Sequence, residues 1–206
     1  MRHYLYTFFD FLFPPDTDEL TLRKVSDAAF LELYCYGKAD EVDTLLPFSA
    51  STVRAAIHLA KFRAHVRATE LLGTVLAHHL ARVNVDYIIL PIPLSRARAR
   101  ERGYNQVENI LHAAFKKRLS THKRATNVLV RTRHTKPQTT LARKERLTNV
   151  VNAFDIRDIE AARTLLAGKH VLIIDDVTTT GATLKAAKAT LLPLQPASIT
   201  LLSLAH

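Results

Sequence analysis

Cysteine is almost absent from this chain of 206 residues, which contains only Cys35. A single thiol cannot form an intramolecular disulfide, so the composition excludes a disulfide-rich secreted fold and suggests no oxidising compartment. One thiolate also falls short of a structural zinc site, which needs four ligands and usually two or more cysteines among them. The sequence therefore predicts neither a disulfide framework nor bound zinc.

Long hydrophobic runs are missing as well. The aromatic and apolar N-terminal stretch, residues 1–13, is interrupted by Asp10, and no small-residue cleavage site follows it. The stretch is too short to span a bilayer and lacks the features of a signal peptide. We therefore expect no membrane span and a cytoplasmic location.

Acidic side chains are scarce beyond the first quarter of the chain. Residues 1–50 carry 4 basic and 9 acidic side chains, whereas residues 51–206 carry 25 and 10. Within residues 96–146 alone, 15 basic side chains face 3 acidic ones. Such a stretch attracts polyanions, either a ligand with a pyrophosphate group or a nucleic acid, unless it only keeps the surface solvated.

Short apolar runs alternate with amphipathic segments through most of the chain. Five runs predict strands, at residues 87–90, 128–130, 152–156, 171–174 and 198–204. A short helix or arm is predicted at residues 8–15, and helices are predicted at residues 27–34 and 52–83, the last as one helix or two, with residues 40–48 as a connection. The alternation is typical of a doubly wound parallel sheet. We divide the chain into a helical N-terminal arm, residues 1–50, and an α/β domain, residues 51–206.

One stretch joins a buried strand to a polar loop and the start of a helix. It runs from Val171 to Thr183 and reads V-L-I-I-D-D-V-T-T-T-G-A-T. Asp175 and Asp176 stand where the strand ends, at the edge where open α/β sheets bind ligands. The loop then presents unpaired N–H groups and the positive end of a helix dipole, which suit a phosphate. The hydroxyls of Thr178, Thr179 and Thr180 would be further donors, and Gly181 would allow the backbone to approach the phosphate closely.

This order of four hydrophobic residues, two acids, a spacer and T-T-G-A-T resembles the phosphoribosyl-pyrophosphate (PRPP) motif of type I phosphoribosyltransferases. The resemblance implies that residues 178–183 hold the ribose 5-phosphate and that Asp175 and Asp176 face the ribose 2- and 3-hydroxyls. It also implies the type I phosphoribosyltransferase fold, α/β with a parallel five-stranded sheet flanked by helices, here with a helical N-terminal extension. Mg²⁺ would arrive with PRPP, because it prefers phosphate oxygens and few protein ligands.

A second stretch narrows the resemblance. Residues 89–94 read I-L-P-I-P-L, and residues 100–106 read R-E-R-G-Y-N-Q. With the spaced R-x-R-x-T-x-x-Q-x-x-L pattern that begins at Arg131, they resemble the ComF family, whose members are associated with natural transformation, the uptake and handling of single-stranded DNA by bacteria. Family members commonly follow an F-P-P segment with paired cysteines that form a zinc finger. Here Asp16-Thr17-Asp18 follows the prolines, so the finger is interpreted as lost.

The resemblance assigns further roles. The backbone of Pro91, Ile92, Pro93 and Leu94 would form the pyrophosphate loop, with Arg96 neutralising the diphosphate. Arg131 and Arg133 begin a segment, residues 131–146, in the position of the flexible catalytic loop, and would stabilise charge as pyrophosphate leaves. The catalytic candidates are therefore Asp175, Asp176, Arg131 and Arg133. The implied reaction is a glycosyl transfer, a displacement at the anomeric carbon of the ribose, to an acceptor that the motif does not identify.

A binding module is the alternative to an enzyme. It would use the PRPP site as a sensor and would handle single-stranded DNA, directly or through DNA-uptake proteins. Residues placed to contact nucleic acid are Arg98, Arg100, Arg102, Lys116, Lys117 and Arg118, with Tyr104 as a stacking ring. A receiver-type phosphoacceptor domain also uses paired acids at strand ends, but it would not need T-T-T-G-A-T.

Overall fold

The structure is a computed structural model that describes residues 16–117, 121–132 and 153–206. Its helices are α1 (Thr17–Arg23), α2 (Asp27–Leu31), α3 (Ser51–Arg63), α4 (Val66–Leu80), α5 (Arg96–Arg102), α6 (Gln106–Phe115), α7 (Ile159–Leu166) and α8 (Ala182–Leu191). Its strands are β1 (Gly37–Ala39), β2 (Val42–Leu46), β3 (Tyr87–Pro91), β4 (Lys123–Arg124), β5 (Leu129–Arg131), β6 (Phe154–Ile156), β7 (His170–Val177) and β8 (Ser198–Ala205). The short helix or arm predicted at residues 8–15 lies outside the described residues.

A six-stranded sheet in the order β1-β2-β8-β7-β3-β4 forms the centre of the fold. Five of its strands run parallel, and β1 pairs antiparallel with β2 at one edge. Helices flank this sheet, so the predicted α/β class is confirmed. The count differs from the five parallel strands that were predicted, because the antiparallel β1 adds a sixth.

Two of the predicted strands belong elsewhere. β5 and β6 pair antiparallel in a separate two-stranded sheet, with Arg131 opposite Phe154. They are three residues long, and each has a polar or half-exposed side, so they do not fit a central position buried on both faces. β2 and β4 occupy the remaining parallel positions.

The interpretation of residues 40–48 as a connection was therefore wrong. β2 reads V-D-T-L-L, without the continuous apolar run that signals a central strand, yet it pairs along its length with β8. The division of the chain at residue 50 stays a prediction, although β1 and β2 share the sheet of the larger part.

The sheet separates two apolar clusters because alternate side chains of a strand face opposite sides. Leu172 and Ile174 pack with α3, α4 and α6 on one face. Val171 and Ile173 pack with α8 and the β5–β6 pair on the other. This alternation decides which side of the sheet each site residue of β7 faces.

Residues 52–83 form two helices. α3 ends at Arg63, followed by the C-cap Ala64 with a left-handed backbone, and α4 begins after His65, whose ring accepts the N–H of Ala68. The break is not at Gly73, which lies where α4 packs on α6. A Cβ atom at Gly73 would be only 2.7 Å from that of Ala113, so the glycine allows the two helices to approach closely. In the described ranges, no helix has the combination of length and apolar character needed to cross a membrane.

Candidate functional site

A polar loop connects β7 to α8 and is held in place by its own hydrogen bonds. The N–H of Thr178 donates to the carbonyl of Ala205 (3.1 Å), and the Thr178 hydroxyl accepts the N–H of Gly181 (3.0 Å). Gly181 has φ of 68° and forms the N-cap of α8. A Cβ atom there would lie 2.9 Å from Cγ2 of Val42, so both the backbone angle and the space require glycine.

The loop has the geometry of an anion site. α8 has 10 residues, and the N–H groups of a helix's first turn lack partners within the helix. The residues that line the depression above it are Asp175, Val177, Thr178, Thr179, Thr180, Gly181, Thr183 and Leu184. The structure thus brings the predicted phosphate-binding residues together, except Ala182, whose side chain is buried in the core.

The two acids lie within β7 rather than beyond its end. The strand was expected to end near Ile174, but it continues to Val177, which pairs with Ala205 of β8. Neighbouring residues of a strand face opposite sides. Asp175 therefore shares the side of α8 and lines the loop pocket, whereas Asp176 shares the side of α3 and α6.

Asp176 is buried and fully engaged. Its Oδ2 accepts a hydrogen bond from Nε2 of Gln106 (2.9 Å) and lies 3.5 Å from Nζ of Lys61. Its Oδ1 accepts the N–H of Val177 (2.8 Å). Only 4% of the residue's surface is exposed, so this carboxylate depends on partners supplied by other elements.

Asp175 has an unusual protonation equilibrium. Its burial, and then the neighbouring charge of Asp176, raise its pKa to about 8, while the more distant Lys61 acts in the opposite direction. Its Oδ1 accepts the N–H of Asp176 (2.9 Å). Two adjacent carboxyl groups with too little solvent favour a ligand that brings positive charge or hydroxyl donors.

A second cleft, of about 890 Å³, lies between the region of α5 and the β5–β6 pair. Pro93, Leu94 and Arg96 line one wall, and the β5–β6 pair lines the other. Pro91 is the last residue of β3, and the buried Ile92 donates its N–H to the carbonyl of Ile174. Of the predicted pyrophosphate loop, only Pro93 and Leu94 are therefore presented to the cleft.

Arg131 enters the cleft from the end of β5. Its guanidinium carbon lies 5.5 Å from the ring centroid of Phe154, and its backbone forms a bridge with Ser95. Burial, and then the charge of Arg98, lower the pKa of the Arg131 guanidinium, while Asp175 opposes them. Arg98, Arg131 and Asp175 thus lie within electrostatic reach of one another. Arg133 lies outside the described residues.

The residues proposed to contact nucleic acid belong to two parts of the chain. Arg98, Arg100 and Arg102 lie on α5, whereas Lys116 and Lys117 follow α6 and line a groove of about 580 Å³ beside α4 and α6. Arg118 lies outside the described residues. The hydroxyl of Tyr104 donates to the carbonyl of Lys61 (3.0 Å) and accepts the N–H of Ala64 (2.8 Å), so this residue supports the end of α3.

Sequence reasoning missed Lys61, Asn105 and Gln106 as parts of the site. Asn105 donates to the carbonyl of Ile92 (3.0 Å), and Gln106 reaches Asp176. Their place in the quoted R-E-R-G-Y-N-Q block was a usable signal. Lys61 had no such signal, because it belongs to a helix remote in sequence. Among the described residues, no group of three or more His, Cys, Asp or Glu side chains is placed to hold a metal ion.

Comparison with known proteins identifies the family. The phosphoribosyl transferase domain matches residues 73–206, which is more than half of the chain. The chain belongs to the phosphoribosyl transferase domain family. Competence protein F of Haemophilus influenzae is 34% identical over 96 residues, which are 47% of this chain and 40% of that protein. The chain is a ComF-like phosphoribosyltransferase-type protein, and it matches less than half the length of that curated relative.

The chain is also similar in part to three solved structures. A hypoxanthine phosphoribosyltransferase from Staphylococcus aureus is 15% identical with a TM-score of 0.35, covering 73% of this chain and 62% of its own. An asparagine mutant made to analyse an invariant aspartic acid in HPRTs is 14% identical with a TM-score of 0.35, and the match covers 72% of this chain and 64% of that chain. The allosteric regulatory enzyme of purine biosynthesis is 14% identical with a TM-score of 0.39, and the match covers 86% of this chain and 30% of that chain. Because all three TM-scores are below 0.5, nothing about function is drawn from them.

Proposed function

We propose that this chain binds PRPP with Mg²⁺ and transfers its phosphoribosyl group to an acceptor. The observation that carries the proposal is the Thr178–Gly181 loop at the N-terminus of α8, directly beside Asp175. A phosphate in that loop would meet first-turn N–H groups and threonine hydroxyls. The attached ribose would then lie against Asp175, and the pyrophosphate would extend toward the cleft.

The cleft provides the charge that a leaving pyrophosphate needs. Arg96 lies at its wall, and Arg131 is partly buried over Phe154. A cation held in a site with little water interacts more strongly with developing negative charge than one in bulk solvent. The contribution of the protein is therefore to position the sugar and to stabilise the leaving group.

The donor chemistry of the site fits Mg²⁺ carried by the substrate. Mg²⁺ keeps several waters and binds substrate phosphates, so it needs no dedicated protein cage. The described residues offer no such cage, and the anion loop and arginines are suited to the phosphates themselves. When bound, the ion would neutralise charge on the pyrophosphate as it departs.

The wider role proposed for the chain is in bacterial competence, as the name of its relative, competence protein F, suggests. A non-catalytic module that binds single-stranded DNA has weaker support, because the hydroxyl of Tyr104 ties this residue to the end of α3 and the basic residues belong to two separate stretches, α5 and the end of α6. Contact with DNA or with DNA-uptake proteins, a cytoplasmic location and the lack of a zinc finger stay predictions from the sequence.

Thermal unfolding with and without PRPP and Mg²⁺ tests the proposal. A ligand at a hundredfold excess over its Kd should stabilise the wild-type protein by about 2.7 kcal/mol. Thr180→Asp places a negative charge in the anion loop and should abolish the shift. Thr164→Asp makes the same change on the exposed side of α7 and should retain it. An absent shift in the wild type would show that PRPP is not a ligand.

Turnover separates the enzyme from a sensor. Pyrophosphate release should be measured with PRPP, Mg²⁺ and a panel of nucleobases as acceptors. Release that depends on one acceptor supports the transferase, whereas binding without release from any acceptor would favour the sensor.

A further inference from the structure

Lys61 reaches the acid pair from the last turn of α3. Its Nζ lies 3.5 Å from Oδ2 of Asp176, with 30% of the lysine side chain and 6% of the aspartate side chain exposed. The hydroxyl of Tyr104 fixes the end of this helix, because it donates to the carbonyl of Lys61 and accepts the N–H of Ala64. The ammonium group is thus held at the site from a helix outside the PRPP motif.

Gln106 meets the same carboxylate oxygen from α6. Its Oε1 accepts a hydrogen bond from Arg102 (3.3 Å), which orients the amide so that Nε2 donates to Asp176 (2.9 Å). Only 5% of Gln106 is exposed, so few other partners are within its reach. The chain Arg102, Gln106 and Asp176 connects the R-E-R-G-Y-N-Q block directly to the PRPP motif.

From these contacts we infer that Lys61 and Gln106 are positioning residues of the PRPP site, which together fix Asp176 and, through it, the orientation of Asp175. The backbone carries the second step, because Oδ1 of Asp175 accepts the N–H of Asp176. The inference rests on the proposed function, since the orientation matters for the ribose that Asp175 faces.

Electrostatics explain why one of the two partners is a cation. Two adjacent carboxylates repel each other most strongly where water is scarce, and the charge of Lys61 opposes the rise in the pKa of Asp175. The other charged groups that interact electrostatically with Asp175 are Asp176 beside it and Arg131 at the end of β5. Loss of Lys61 would leave Asp176 buried with Gln106 as its remaining side-chain partner.

PRPP affinity measured from pH 6 to pH 9 tests the positioning role. We expect Lys61→Met to weaken PRPP–Mg²⁺ binding about tenfold at pH 7 and by less at pH 9, because loss of the lysine charge would raise the pKa of Asp175 further. Lys61→Arg should restore most of the affinity, and Gln106→Leu should weaken binding with the pH profile unchanged. Lys38→Met, which removes an exposed lysine of β1, is the matched control and should behave as wild type.

Equal losses at every pH for Lys61→Met and Lys61→Arg would overturn the inference, as would wild-type binding by Lys61→Met. A double-mutant cycle that combines Lys61→Met with Asp176→Asn in the unliganded protein distinguishes failure of this inference from failure of the proposed function. If the wild type binds no PRPP, the proposed function fails. The cycle then tests only the contact between Lys61 and Asp176. Coupled changes in the free energy of unfolding support that contact, and additive changes refute it.

Discussion

Asp175→Asn should stabilise the unliganded protein while it damages the proposed PRPP site. Burial and the charge of Asp176 raise the pKa of Asp175 from its usual 3.8 to about 8, so the folded state resists ionisation of this carboxyl. The unfolded chain loses the same proton near its usual pKa. Between these two values the folded state binds more protons, so the free energy of unfolding should fall as pH rises from about 4 to 8 and then level off.

The size of the effect follows from the same difference. About three units separate the usual pKa of Asp175 from pH 7, and each unit corresponds to about 1.36 kcal/mol. The largest gain in the free energy of unfolding is therefore about 4 kcal/mol. Asparagine removes the charge and can still accept the N–H of Asp176, but its own amide must also leave water. We therefore expect a gain of about 1–3 kcal/mol at pH 7, or about 2–12 °C in Tm for a chain of this size.

Urea unfolding of the wild type and of Asp175→Asn from pH 4 to pH 9 measures this difference in the free energy of unfolding. The wild-type curve should decline toward pH 8, the variant should be flatter, and the two should converge near pH 4. Asp155→Asn, on the exposed side of β6, is the matched control and should change little. If Asp175→Asn is no more stable than the wild type at pH 8, the argument that Asp175 is a strained, function-bearing group is wrong.

Two further predictions concern the scaffold. Gly73→Ala should lower the free energy of unfolding in urea by about 1–3 kcal/mol, although alanine has the better helix propensity, because the new methyl group would meet Ala113 across the α4–α6 contact. A stabilised variant would contradict this packing. Tyr104→Phe should cost about 1 kcal/mol, because it leaves the carbonyl of Lys61 and the N–H of Ala64 without this partner; an unchanged free energy of unfolding would show that water replaces the hydroxyl.

The sequence by itself determined the parts of this protein that are local. Four apolar residues, two acids and T-T-T-G-A-T predict a strand, a loop and a helix because each signal acts on its own neighbours. The structure has this order, with Gly181 in the left-handed conformation that the loop requires. The α/β class and the family resemblance also followed from the sequence, since both depend on the succession of elements.

Only the tertiary structure decided how those elements meet. β7 continues to Val177 because β8 offers Ala205 as a partner, and this extension turns Asp175 and Asp176 to opposite sides of the sheet. β2 lies in the sheet because β8 pairs with it, although its own sequence has a weak strand pattern. Lys61 belongs to the site because α3 packs across the same face as Asp176. Strand pairing and packing depend on residues far apart in the chain, and the local pattern of a single sequence contains no record of those contacts.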